Sequence, residues 1–152
     1  MVCQQSSGKN SDKLALPKAW LDPYDSFMEE IGKRLLHQRV RNRVIELLDI
    51  TCSFTEIAKF GAFWVINMAY DWLPLDYRDA PNVFDEKEKH AVEEFLRLME
   101  KAAVTTTHDT WDIRWFENSL EWRELSAYAK KSLHVFINRG LFSEDVENIS
   151  LS

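Results

Sequence analysis

Apolar residues recur at helical spacing through most of the chain, and this periodicity constrains the fold more than any other feature. The clearest example follows Asp85 and Glu88, which match an N-terminal capping box. Beyond this box the apolar positions lie on one helical stripe: Ala91, Val92, Phe95, Leu96, Met99 and Ala103. Only four glycines and four prolines interrupt the 152 residues, whereas an all-β chain needs many more turns. We therefore predict an all-α protein, a single compact bundle of about four to six helices.

Two more segments carry a helical pattern. Residues 22–50 are interpreted as one long helix or as two helices joined near Leu36–Gln38. Ser53 then provides a second cap signature ahead of the most apolar run in the chain, Ile57–Tyr70. Because this run is apolar nearly all round, we expect a central helix buried on most sides. Asn67 would then be a buried amide that bonds to another helix or lines a pocket.

The stretch WDIRWFENSLEW places Trp111, Trp115 and Trp122 on one face, provided that a single helix covers it. However, Asn118 and Glu121 are also a plausible cap pair, so a new helix could begin there. In that case Trp122 packs inside the final helix. Trp111 and Trp115 then lie on a short acidic segment that is available for docking.

Composition along the chain predicts its organisation and compartment. Residues 1–13 are polar and aperiodic and are expected to form a flexible tail, with a single helical domain over residues 14–152. The two cysteines, Cys3 and Cys52, fit free thiols in a reducing cytosol better than a disulfide framework. No apolar run approaches the roughly 20 residues that span a bilayer. We expect a cytoplasmic protein without membrane contact.

The charge distribution favours a basic protein as partner. The chain carries a net charge of −6, and the excess of acid lies in residues 53–152, which hold eleven Lys and Arg against eighteen Asp and Glu. A nucleic-acid binder should instead present a basic face, so we expect no nucleic-acid partner. The one basic cluster, residues 33–43, keeps an RNA or DNA contact as a further alternative. Its simpler interpretation is the polar side of a helix, paired with acidic neighbours.

No motif of known chemistry occurs, and we predict no catalytic, cofactor-binding or metal-binding residues. Glu86, His90 and Glu93 share helical spacing, but their heavily charged surroundings indicate a solvated face. His108 followed by Asp109 is the best general-base candidate. With Asn67, these two residues support the alternative function: a small-ligand-binding or enzymatic bundle with a pocket between helices.

Acidic and aromatic residues are combined in two connecting segments of this tryptophan-rich chain, a composition typical of binding hot spots. We predict a non-enzymatic acidic protein-binding module, an inhibitor of the immunity or antitoxin type. It would cover a basic surface or active site of a partner such as a toxin. The predicted contact residues are Asp76, Asp79, Asp109, Trp111, Asp112 and Trp115.

Overall fold

The computed structural model describes the backbone of residues 18–73 and 75–149, and side chains from residue 32 onward. Within this part of the chain there are six helices and no strand, which confirms the all-α prediction. The helices are α1 (Lys18–Thr51), α2 (Phe54–Phe60), α3 (Ala62–Trp72), α4 (Glu86–Thr105), α5 (Ile113–Asn118) and α6 (Leu120–Ile137). Over the same residues, no helix is both long enough and apolar enough to cross a membrane. The predicted tail, residues 1–13, lies outside the described residues.

Contacts divide the chain into two units, residues 1–33 and residues 34–152. The larger unit is a helical bundle with a hydrophobic core of its own, in which α4 and α6 share the most extensive packing. Its fully buried aromatic side chains are Phe84, Phe95, Phe116, Trp122 and Phe136. Helix α1 continues without a break past residue 38, so the alternative of two joined helices is wrong. One helical domain over residues 14–152 stays a prediction.

The most apolar run of the sequence forms two helices, because Gly61 separates α2 from α3. Gly61 adopts φ 95° and ψ 154°, a region that is open essentially to glycine alone. Ser53 caps α2 as predicted, with its hydroxyl accepting from the Glu56 N–H. The prediction of a central, buried helix is wrong, since α3 buries one side only. Asn67 is exposed on the other side, so it is not a buried amide.

The tryptophan-rich stretch also forms two helices, α5 and α6, as the cap signal suggested. The cap residue is Ser119 and not Asn118, because Ser119 has extended backbone angles and accepts a hydrogen bond from the Trp122 N–H (3.3 Å). Trp122 is fully buried, and its indole N–H donates to the Thr106 hydroxyl (2.9 Å). Its predicted role in packing is confirmed.

A buried ion cluster joins α1, α4 and the end of α6. Arg41 and Glu88 form an ion pair (2.6 Å), and both side chains are completely buried. Arg41 also donates to the carbonyl groups of Phe136 (3.1 Å) and Gly140 (2.6 Å). Arg139, whose own side chain is partly exposed, binds the same Glu88 carboxylate. Both Glu88 oxygens and all three guanidinium nitrogens of Arg41 therefore have hydrogen-bond partners, as burial of charge requires.

Candidate functional site

Four large aromatic side chains are exposed around the joint between α2 and α3. Phe60, Phe63 and Trp64 expose 40%, 39% and 37% of their surface, and Trp111 exposes 58%. Phe60 and Trp64 are stacked with ring centroids 4.3 Å apart. We call these four residues the aromatic surface. Aromatic side chains clustered in solvent are a feature of docking sites, because a single domain gains nothing by leaving them exposed together.

The missing side chain of Gly61 permits this arrangement. A Cβ atom at Gly61 would lie 2.7 Å from Nε1 and 2.9 Å from Cε2 of Trp111, so the indole rests directly against the backbone of the joint. A glycine is also required by the positive φ at this position. The joint therefore both ends α2 and provides the platform on which Trp111 lies.

Asp109 fixes the loop that carries Trp111. Its Oδ1 accepts hydrogen bonds from the N–H groups of Phe63 (3.0 Å) and Thr110 (3.0 Å), and the Thr110 carbonyl accepts from the Ala62 N–H (3.0 Å). Gly61 has no side chain to cap α3, so Asp109 supplies the cap from a distant segment. Asp109 is thus a positioning residue, and its carboxylate is held at the first turn of α3.

The other two predicted residues of this loop are Asp112, which caps a helix, and Trp115, which is less exposed than Trp111. Asp112 caps α5, with Oδ1 accepting from the Arg114 N–H (3.0 Å). Trp115 is half-buried and packs edge-on against His108 (6.2 Å) and Phe116 (5.4 Å). Of the predicted tryptophan pair, Trp111 presents the larger free face.

The structure places the other two predicted acids elsewhere. Asp76 and Asp79 lie on the connection between α3 and α4, and both are exposed. Arg78 donates hydrogen bonds to the Asp76 carboxylate and lowers its pKa to about 2. Among the described residues, no hydrogen bond, ion pair or ring contact joins these acids to the segment 109–115. The six predicted residues therefore form two groups. One is Asp76 and Asp79, and the other is the loop group at the aromatic surface, which consists of Asp109, Trp111, Asp112 and Trp115.

Sequence reasoning missed three members of the aromatic surface, Phe60, Phe63 and Trp64. They lie in the apolar run that we expected to be buried, where aromatic residues favour a core interpretation. The signal that could have revealed them is Gly61 itself. A glycine after a short capped helix fits a C-cap, and a break there turns the following helix into a surface helix with its own exposed side.

The basic cluster at residues 33–43 is largely paired inside the chain. Arg34 binds Glu147 (3.3 Å), and Arg43 binds Glu144 (3.1 Å), so the predicted pairing with acidic groups is confirmed for both. His37 is buried, its Nδ1 has no hydrogen-bond partner, and burial lowers its pKa. These arginine side chains are therefore already engaged in the structure.

The geometry does not assemble the general-base pair that the sequence suggested. The Asp109 carboxylate serves the backbone N–H groups of Phe63 and Thr110, while His108 is exposed, with Nδ1 3.3 Å from the Thr107 hydroxyl. Among the described residues, open grooves of about 620, 440 and 420 Å³ are present, and the linings of these grooves do not include Asn67, His108 or Asp109. In the described part of the chain, no cluster of three or more His, Cys, Asp or Glu side chains could hold a metal ion.

Comparison of the chain with protein-family models, curated proteins and solved structures found no match.

Proposed function

We propose that this chain is a non-enzymatic protein-binding module that covers a basic surface of a partner protein, as inhibitors of the immunity or antitoxin type do. The observation that carries the proposal is the aromatic surface. Trp111 and its three neighbours combine large contact area with few rotatable bonds, which limits the entropy lost on binding. They are also held on rigid helices and a capped loop, so little reorganisation is needed at docking.

The charge of the chain supports a basic partner. Residues 53–152, which contain the whole aromatic surface, carry seven more acidic than basic side chains. Asp109 and Asp112 flank Trp111, and each is bonded to neutral backbone N–H groups. Neither carboxylate forms an ion pair among the described residues, so both add to the acidic character of this surface while they cap helices. Such a field accelerates the approach of a cationic surface and repels a polyanion.

The proposal is tested by capturing the partner with wild-type chain and with the variant Trp111→Ser, from cells that produce the chain naturally. A buried aromatic hot spot contributes at least about 2 kcal/mol, so we expect the captured protein to bind the variant roughly 30-fold more weakly. The matched control is Val104→Ser on α4, since Val104 is 81% exposed and lies outside the aromatic surface. Its affinity should equal that of wild type. Equal capture by Trp111→Ser and wild type would reject this surface as the interface.

A second variant separates the effect of charge on association from the helix-capping role of the same residues. Replacing Asp109 and Asp112 together by asparagine preserves a side-chain oxygen for each cap but removes two charges. We expect a slower association rate, a weaker dependence of that rate on salt, and a nearly unchanged thermal midpoint. An association rate that does not change would show that the partner is not basic at this contact.

A further inference from the structure

Residues 141–149, here called the terminal segment, lie along α1 in irregular conformation and are held by its side-chain amides. Gln38 is completely buried and bonds the segment at three points. Its Nε2 donates to the carbonyl groups of Ser143 (3.0 Å) and Val146 (3.0 Å), and its Oε1 accepts from the Asn148 N–H (2.7 Å). The Gln38 side chain thus forms hydrogen bonds with the backbone of three residues in the segment.

Asn42 repeats this recognition one helical turn further along α1. Its Nδ2 donates to the Phe142 carbonyl (2.8 Å), and its Oδ1 accepts from the Phe142 N–H (3.0 Å). This two-way pairing is what a neighbouring β-strand would offer to an extended peptide. Gln38 and Asn42 are four residues apart, so both amides project from one face of the helix.

Arginines beside these amides select acidic residues in the segment. Arg43 binds the Glu144 carboxylate (3.1 Å), Arg34 binds that of Glu147 (3.3 Å), and Arg39 donates to the Glu144 carbonyl (2.6 Å). The face therefore recognises an extended backbone with acids three positions apart.

Apolar side chains contribute little to holding the segment. Leu141 and Val146 expose 68% and 66% of their surface, and Phe142 alone packs inward, beneath the guanidinium of Arg41 at 3.9 Å. Recognition thus depends on backbone hydrogen bonds, one aromatic ring and charge. A different peptide with the same three features would satisfy the same groups.

We propose that the α1 face formed by Arg34, Gln38, Arg39, Asn42 and Arg43 is a recognition site for an extended acidic segment of a partner protein. The terminal segment fills this site in the free chain and acts as a tethered competitor. Tethering gives it an effective concentration in the millimolar range, so a partner present well below that concentration displaces it only through further contacts. This inference does not rest on the function proposed above, because it concerns another surface and a partner of opposite charge.

The test uses a fluorescein-labelled peptide of the sequence LFSEDVENI, residues 141–149, and full-length chain carrying Phe142→Ala. The substitution weakens the tethered segment but leaves the α1 face intact. Fluorescence anisotropy should show the peptide binding this variant at least about tenfold more tightly than wild type. Adding Asn42→Ala to the same chain should reduce that binding at least about fivefold.

Two altered peptides test the selection of acids. Glu144→Lys removes a carboxylate that is paired in the structure, and Asp145→Lys makes the same charge change at an exposed acid without an ion pair. The first peptide should bind several-fold more weakly than the second. Equal loss for both, or no binding of the native peptide to the Phe142→Ala chain, would overturn the proposal.

Hydrogen exchange on the wild-type chain tests displacement of the segment directly and does not depend on whether any variant folds. A large excess of the native peptide should speed exchange at the Phe142 and Asn148 N–H groups of the chain, which bond to Asn42 and Gln38. Unchanged protection at both amides would overturn the proposal. So would a concentration-dependent dimer that the peptide disrupts, because the occupant would then be the segment of a second copy.

Discussion

Substituting Gly61 by alanine should destabilise the protein more than the same change at any other described glycine. An alanine must adopt φ 95° and ψ 154°, which costs about 1–3 kcal/mol because the region is essentially restricted to glycine. Its Cβ would also lie 2.7 Å from the Trp111 indole, which must move. Trp111 hides about two fifths of its surface, or roughly 100 Å², so complete displacement costs at most about 2.5 kcal/mol. A total loss of about 2–4 kcal/mol is expected.

Two other glycines provide matched controls for this measurement. Gly140 has φ 70°, and a Cβ there meets nothing within 4 Å, so Gly140→Ala should cost only about 1 kcal/mol. Gly32 lies within α1 and has equally open space, so Gly32→Ala should stabilise the protein by about 0.5–1 kcal/mol. We therefore expect Gly61→Ala to lose the most stability and Gly140→Ala to lose less, whereas Gly32→Ala should be more stable than wild type.

Urea unfolding and thermal melting, both followed by far-UV circular dichroism, are the suitable assays, because helix content does not depend on the environment of the indole. The thermal midpoint of Gly61→Ala should fall by about 6–12 °C for a chain of this size. Acrylamide quenching should rise at the same time, as Trp111 becomes more accessible. A free energy of unfolding for Gly61→Ala equal to that of Gly140→Ala would refute both the strained backbone and the close approach of Trp111.

Three further outcomes follow from the charges. Arg41→Met leaves part of the Glu88 carboxylate buried without its partner and should lower the free energy of unfolding by about 3–5 kcal/mol in urea titrations. Arg78→Met, at an exposed and solvent-screened pair, should lower it far less. The same Arg78→Met variant should raise the pKa of Asp76 from about 2 towards its usual 3.8, as read from carboxyl ¹³C shifts; an unmoved midpoint would contradict the pairing. Burial holds the pKa of His37 below 6.5, so the unfolded chain takes up the proton first and stability should fall as pH decreases below about 6.5. His37→Gln should flatten that part of the stability profile, and an unchanged slope would assign it to other groups.

Local signals in the sequence were sufficient for some of the helix boundaries. The caps at Ser53 and Asp85 depend on side chains that bond within three residues, so their pattern is visible in the sequence. The break at Gly61 was missed for a physical reason. A glycine inside an apolar helical run costs only about 1 kcal/mol, so its presence alone does not end a helix. What fixes the break is Asp109, 46 residues from the Phe63 N–H that it caps, and such a contact leaves no periodic trace.

The same limit explains why the sequence could not name the acidic partners of the basic cluster. Arg43 pairs with Glu46 only three residues away, but the other acidic partners of the cluster's arginines lie about 50 to 110 residues away, and no spacing rule connects such positions. Pairing nevertheless leaves the net charge at −6, because each ion pair removes one acid and one base together. The excess must then reside on acids that form no ion pair. Asp109 and Asp112 belong to this class, since backbone N–H groups donate to Oδ1 of each and no basic side chain pairs with them among the described residues. A residue can therefore hold Trp111 in place and still attract a cationic partner, and the two roles are separable by the asparagine variants.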